Sequence, residues 1–324
     1  MSTSLDPRLL RGLATYQDVM LGGEVAVPGT RDCAARWELV GPCLAGSRAV
    51  LDVGSNFGWF GLAACGENAN CVVASVEADE RSAAVQRSVL QSHDQRRICL
   101  LTRRAGVKMA ERFEAAGQRF DAALCLSVLH WLSDHREFIS ALGRVSARII
   151  VEHPHPDEMH AGIDRVRDEI GEVGSYLRAL YPGRAVTMLG ETMSHLHPEL
   201  PRQIWMVDRP HSWVAAPAAG LDAAALLDLS VSWPPRHWWQ AGVDAAGRAR
   251  SGERLLFTAE GLAWTDGPAE AGLARIQRRI NSLPEKAVLN RRDWLRRRAR
   301  RVAAAVLSSV PRAYRATIQP NSHQ

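Results

Sequence analysis

The chain has no run of about 18 apolar residues, and its first residues lack a charged stretch followed by an apolar one. Neither a membrane-spanning helix nor a secretory leader is therefore expected, and the expected location is the cytoplasm. None of the six cysteines (Cys33, Cys43, Cys65, Cys71, Cys99 and Cys125) belongs to a C-x-x-C pair. The last four sit in apolar or helix-compatible runs, which reads as reduced core thiols rather than disulfides or a metal site. Internal repeats and low-complexity tracts are also missing.

What is present is enough apolar material for a sizeable core. Of 324 residues, 46% are hydrophobic, which allows one large domain or one domain with an appendage. The net charge is +5, unevenly placed: residues 291–315 hold nine arginines against one acid, Asp293, so the remainder is net acidic.

Apolar runs bounded by turn residues predict strands at 48–53, 71–77, 97–102, 120–126, 147–152, 185–190 and 203–208. Helical patterns lie between them, at 79–90, 105–116, 134–143 and 158–180. Alternation of this kind builds a doubly wound α/β sheet. Residues 5–45 read as a helical segment with turns at Gly22-Gly23 and Pro28-Gly29.

The most informative stretch is Val50-Leu51-Asp52-Val53-Gly54-Ser55-Asn56-Phe57-Gly58-Trp59-Phe60-Gly61. It describes a strand feeding a helix through a tight loop. Gly54 and Gly58 lack a Cβ and Asn56 tolerates positive φ, so backbone can approach a ligand closely. In open α/β sheets ligands sit at the carboxyl ends of such strands, so a nucleotide-like ligand is expected. The dinucleotide fingerprint G-x-G-x-x-G is missing, with Asn56 near the place of its middle glycine. A carboxylate at the strand end, Asp52, repels pyrophosphate but suits a cationic or zwitterionic ligand.

This segment resembles motif I of the class I S-adenosylmethionine-dependent methyltransferases, in the variant Asp-x-Gly-x-Asn-x-Gly. A second strand ends in Glu77, 25 positions after Asp52, and Phe120-Asp121-Ala122-Ala123-Leu124-Cys125-Leu126-Ser127 looks like that family's motif IV. The resemblance covers roughly residues 30–210. It implies a Rossmann-like, doubly wound, seven-stranded methyltransferase sheet whose last strand is antiparallel, with S-adenosylmethionine as cofactor. The cofactor-binding set it implies is Asp52, Gly54, Ser55, Asn56, Phe57, Gly58, Glu77, Ala78, Ser127 and Leu129. Within it, Asp52 and the loop take the methionine part, Glu77 takes the ribose hydroxyls, and residues 127–129 line the cofactor's side. The domains expected are a helical segment at 1–45, the cofactor-binding domain at 46–210, and a C-terminal accessory region at 211–324.

The chain departs from the family in two places. After the third strand it reads Thr102-Arg103-Arg104-Ala105-Gly106, without the acid that commonly meets the adenine amino group. Backbone contacts or stacking on Arg104 are left for that job. After the fourth strand there is no Asp/Asn-Pro-Pro-Tyr, the motif of many enzymes that methylate amino groups of bases or glutamine.

Methyl transfer requires alignment and sometimes removal of a proton. His130, after motif IV, and His153, after the fifth strand, are the candidate proton acceptors for an oxygen nucleophile. Alternation along the fifth strand sends Glu152 and His153 to different sides. Glu152, His153, His155, Asp157, Glu158 and His160 fit no compact metal-ligand template, so no metal is expected. His195 and His197 lie in the connection between the last two strands and read as loop histidines.

After residue 210 the composition changes, and no family resemblance is evident. Residues 215–229 read as an Ala/Leu-rich helix, 233–239 as an aromatic and proline cluster, and 254–258 with 262–265 as a short hairpin. Further helical patterns run over 269–281 and 284–310. In the last of these, Leu295, Ala299, Val302, Val306 and Val310 recur at helical spacing beside an arginine-rich face. Such a helix can lie on an anionic membrane, bind nucleic-acid phosphates, or dock on the chain's own acidic domain.

The leading expectation is O-methylation of a small molecule, a sugar or a lipid-linked glycan. The rivals are an RNA methyltransferase gripping phosphates with the arginine tail, a dinucleotide-dependent oxidoreductase, and a methyltransferase-like module that binds cofactor without chemistry.

Overall fold

In the computed structural model the described residues are 7–158 and 164–208, with short stretches at 220–222, 226, 229, 231–233, 255–258 and 261–264. The chain divides into two compact units, residues 1–276 and 277–324. The second unit, and with it the arginine-rich helix, lies outside the described residues, as do nearly all of the 233–239 cluster and the helical pattern at 269–281.

The strands are β1 (Val19–Leu21), β2 (Glu24–Val27), β3 (Ala49–Val53), β4 (Val72–Glu77), β5 (Ile98–Thr102), β6 (Phe120–Leu126), β7 (Ser146–His153), β8 (Val186–Thr192), β9 (Arg202–Val207), β10 (Leu221–Asp222), β11 (Val231–Trp233), β12 (Leu255–Thr258) and β13 (Gly261–Trp264). The helices are α1 (Pro7–Leu10), α2 (Cys33–Leu44), α3 (Trp59–Glu67), α4 (Glu80–Ser92), α5 (Val107–Ala115), α6 (His135–Val145), α7 (Asp164–Ile170) and α8 (Val173–Leu180).

The main sheet runs β11-β5-β4-β3-β6-β7-β9-β8. β3 to β7 are parallel, β9 is antiparallel to β7, and β8 is antiparallel to β9. The seven expected strands are thus all present with the expected reversed last strand, and an eighth, β11, extends the β5 edge antiparallel. β3 and β4 are buried along their whole length, as strands covered on both faces must be. Alternate residues such as Val50, Val73, Leu100 and Leu124 meet Val40, Leu44, Phe60 and Ala64 of α2 and α3. All six cysteines are free thiols.

Three expectations need correction. The segment 1–45 is not wholly helical, because β1 and β2 form an antiparallel hairpin through Gly22 (φ 58°) and Gly23 (φ 93°). The helical pattern at 158–180 is broken at Gly171 (φ 59°), after which Glu172 accepts from the Gly174 and Ser175 N–H groups and starts α8 afresh. Within 215–229, Leu221 and Asp222 are a strand paired with β12 rather than helix. The β12–β13 hairpin matches its sequence pattern. The described parts of 211–264 are mainly strands, one of which joins the main sheet. No described helix is long and apolar enough to cross a membrane.

Candidate functional site

The strand order reverses between β3 and β6, and the loop after β3 opens at that point. Gly54 (φ 69°), Asn56 (φ 51°) and Gly58 (φ 85°) are all left-handed, which folds the chain into a tight turn at the strand end. At Gly54 a Cβ would collide with the Val128 side chain, and at Gly58 it would stand 2.6 Å from Gln86 Nε2. The loop is fastened from behind: Gly54 and Ser55 donate to the Val76 carbonyl at 2.8 and 3.1 Å, and Ser55 Oγ donates to Gln86 Oε1 at 2.8 Å. Phe57 is buried among Val19, Val85 and Val89. The Ser55 and Phe57 side chains are thereby committed to the scaffold.

Asp52 and Glu77 end neighbouring parallel strands. Glu77 accepts from the N–H of Asn56 and from that of Asp79, both at 2.7 Å. Burial raises its pKa, while those backbone donors oppose the rise. Asp52 is 3% exposed and its Oδ2 is buried without a hydrogen-bond partner. Burial, reinforced by the Glu77 charge, pushes its carboxyl up to about 7, against the pull of the Arg36 guanidinium. Ala78 follows at the exposed strand end. Arg104 donates to the Trp131 carbonyl at 3.2 Å, tying the loop after β5 to that after β6.

On the other side of β3, Ser127 adopts φ 60° just past β6. Its Oγ donates to Glu152 and receives Arg202 Nη1 at 3.0 Å, and its N–H donates to the Glu152 carbonyl at 2.9 Å. Glu152 is fully buried. It pairs with Arg31, pairs with Arg36 at 2.7 Å and accepts from Thr192 Oγ1 at 3.0 Å. Burial opposes its charge, but Arg36, Arg31 and the Ser127 hydroxyl hold its pKa near 2. Arg202 in turn grips Glu158 through both carboxylate oxygens, one of them at 2.9 Å. Glu158 is therefore a structural anion. Among the described residues no three His, Cys, Asp or Glu side chains gather as a metal would need.

This ionic network was not foreseen from sequence. One signal was available: Cys33, Arg36, Val40 and Leu44 form the buried stripe of α2, and a cation on such a stripe demands a buried anion.

The structure brings His130 and His153 together, with ring centroids 5.7 Å apart and planes at 83°. His130 and Leu129 are buried in a short 3-10 turn, whereas Trp131 is 53% exposed. His153 Nδ1 lies 2.9 Å from the Pro154 carbonyl, so it carries the hydrogen, and Nε2 is buried without a hydrogen-bond partner. Burial, with the charges of Arg202 and His135, lowers its pKa to about 4, so the ring is neutral at physiological pH. It borders a cleft of about 120 Å³ lined also by Pro154, Pro156, Glu172, Pro201 and Gln203. Glu152 and His153 do point to different surroundings, the ionic network and the cleft. His195 stacks edge-on against Tyr16 at 5.1 Å, and His197 pairs with Glu199 at 3.3 Å.

No protein-family profile matches this chain, and no curated protein resembles it in sequence. Solved structures do. The bifunctional kinase-methyltransferase WbdD matches at 20% identity over 77% of this chain and 64% of that one, with a TM-score of 0.50. The N-terminal domain of EvdMO1, crystallised with SAH and D-fucose, matches at 19% identity over 65% of this chain and 100% of that one, TM-score 0.47. An O-methyltransferase family protein from Burkholderia thailandensis matches at 16% identity over 55% of this chain and 58% of that one, TM-score 0.39. The chain spans less than two thirds of that WbdD chain. The likeness to WbdD shows the fold, a mixed α/β methyltransferase-type sheet.

Proposed function

We propose that this chain is an S-adenosylmethionine-dependent methyltransferase acting on a hydroxyl oxygen of a small molecule, a sugar or a lipid-linked glycan. The observation that carries the reading is the placement of two buried acids, Asp52 and Glu77, at the ends of adjacent parallel strands beside a left-handed loop. The residues suit that cofactor. Asp52 Oδ2 is a buried acceptor awaiting a cationic partner. Each Glu77 oxygen receives one backbone N–H and keeps a lone pair for a ribose hydroxyl. A dinucleotide pyrophosphate would meet an acid instead of an open glycine cradle.

When bound, S-adenosylmethionine supplies a methyl group already activated by its sulfonium. The chain's own residues position and exclude. Asp52, Gly54, Asn56 and Gly58 hold the methionine end, Glu77 the ribose, and Ser127 and Leu129 the side toward β6. Ser55 and Phe57 brace the loop, and Ala78 borders the ribose. The ionic network around Glu152 locks Ser127 in its left-handed conformation, and so sets the loop that carries Leu129 and His130. His153 Nε2, which has no hydrogen-bond partner, accepts a hydroxyl proton as that oxygen loses electron density; His130 is the second proton acceptor beside it. The fold shared with WbdD supports this reading, as does the missing Asp/Asn-Pro-Pro-Tyr.

The reading is tested by following an isotope-labelled methyl group from S-adenosylmethionine into panels of hydroxyl-bearing small molecules, sugars, lipid-linked glycans and RNA. Incorporation as a base-stable methyl ether into one of the first three classes is expected. Incorporation into RNA alone would contradict the acceptor assignment.

A further inference from the structure

His153 borders a cleft of about 120 Å³ at the carboxyl end of β7. Two local features build its walls. The left-handed turn at Gly171 separates α7 from α8 and brings Glu172 and Val173 to the cleft. Pro154, Pro156 and Pro201 add apolar rings whose fixed φ lowers the ordering cost when a ligand enters. Drug-sized ligands occupy roughly 300–1,000 Å³, so this cleft admits a single ring-sized group.

The polar groups around the cleft are largely committed. Glu172 accepts from the Gly174 and Ser175 N–H groups at 2.7 and 2.6 Å, and Gln203 donates to Glu191 and accepts from Trp205, both at 3.1 Å. Arg202, between Pro201 and Gln203 in sequence, is held by Glu158 and Ser127. Among the described residues the lining thus contains no lysine or arginine, and Glu172 adds an anion. A phosphate or carboxylate finds no counter-charge here, and the several hydroxyls of a sugar find too few partners. The one lining residue with a buried side-chain nitrogen lacking a hydrogen-bond partner is His153, at Nε2. Its low pKa, about 4, makes it a weak base, suited to an acidic hydroxyl. A phenol ionises near pH ~10, an aliphatic hydroxyl nearer the ~15.7 of water.

We infer that this cleft is the acceptor subsite and that it takes a neutral phenolic ring, packed on the prolines with its hydroxyl at His153 Nε2. The inference rests on the proposed methyl transfer and narrows its small-molecule acceptors to phenols. The phenolic oxygen bonds the methyl carbon as the carbon–sulfur bond breaks onto sulfur, and the hydroxyl proton passes to Nε2. A methyl aryl ether, a neutral thioether and an imidazolium result. The apolar faces of the prolines suit the π face of such a ring, and Glu172 turns away anionic relatives of it.

The test is an NMR titration of the full chain, loaded with S-adenosylhomocysteine and carbon-13 labelled in its histidine rings. The probes are 4-methylphenol, 4-hydroxybenzoate and methyl glucoside, and the His153 signal is assigned by its loss in His153→Gln. 4-Methylphenol is expected to shift that signal and to bind at least about 10-fold more tightly than the carboxylated phenol or the sugar. Val173→Trp, which fills the cleft, should weaken 4-methylphenol binding by at least about 10-fold while S-adenosylhomocysteine affinity stays unchanged. Tightest binding by methyl glucoside or 4-hydroxybenzoate would overturn the inference and leave the cofactor reading standing. So would 4-methylphenol affinity that Val173→Trp retains. Should Val173→Trp fail to fold, the His153 shift in the wild-type chain decides, and its absence overturns the inference. Failure of S-adenosylhomocysteine to bind, titrated alone, would overturn the cofactor reading and this inference together.

Discussion

Glu77 Oε2 accepts from the backbone N–H of Asn56 at 2.7 Å, so the acid ending one strand holds the loop that leaves its neighbour. A single carboxylate thus fixes loop geometry and, in the proposed function, also meets the ribose.

That double role predicts unequal consequences for the two acids. Asp52→Ala and Glu77→Ala should each weaken S-adenosylmethionine binding by about 1.5–3 kcal/mol through lost charge-assisted hydrogen bonds. Glu77→Ala should also speed amide exchange at Asn56 in the free protein, and Asp52→Ala should not. Calorimetry and hydrogen exchange read the two effects; unchanged affinity in both variants would remove the acids from the site.

Asp52 gives a pH signature without ligand. Its folded pKa, about 7, lies above the ordinary value of 3.8, so its contribution to stability is fully present below pH 3.8 and is lost as pH rises through about 7. Urea unfolding of the free wild-type chain between pH 5 and 8 should show a decline that Asp52→Asn makes shallower. An identical slope in both proteins would mean that Asp52 is solvated or paired.

Glu152 behaves in the opposite sense. Its pKa is held near 2, so its contribution is present above the ordinary value of 4.5 and is lost as pH falls toward 2. Glu152→Gln leaves Arg31 and Arg36 buried without their anion, and should cost about 3–5 kcal/mol in denaturant unfolding. A loss below about 1 kcal/mol, the scale of an exposed pair, would show that water reaches the network.

His153 is neutral above pH 4. With an acceptor in hand, His153→Ala should lower turnover about 10²- to 10⁴-fold with little change in cofactor affinity, and the wild-type pH–rate profile should lack a step from this group between pH 6 and 7. The same substitution at His130 separates the two histidines. Whichever variant stays fully active is not the proton acceptor.

The sheet was legible because each central strand is a short, nearly unbroken apolar run, and because Asp52 and Glu77 interrupt those runs where strands end. The β1–β2 hairpin was not, since its strands of three and four residues carry Glu24 and an exposed Val25 in place of a clean alternation. The restart at α8 was hidden by an uncommon N-cap, Glu172. β11 is three residues long and gains its partner only by reaching β5. The ionic network is the largest omission: Arg31 and Arg36 find Glu152 across 121 and 116 positions, a pairing that no local pattern encodes. Arg36 on the buried stripe of α2 was its one visible trace.

The most direct measurement is a calorimetric titration of the full chain with S-adenosylmethionine and S-adenosylhomocysteine, with NADH and NADPH run in parallel. The account predicts saturable binding of the two sulfur nucleosides and none of the dinucleotides. Binding of a dinucleotide, or of none of the four, would contradict it.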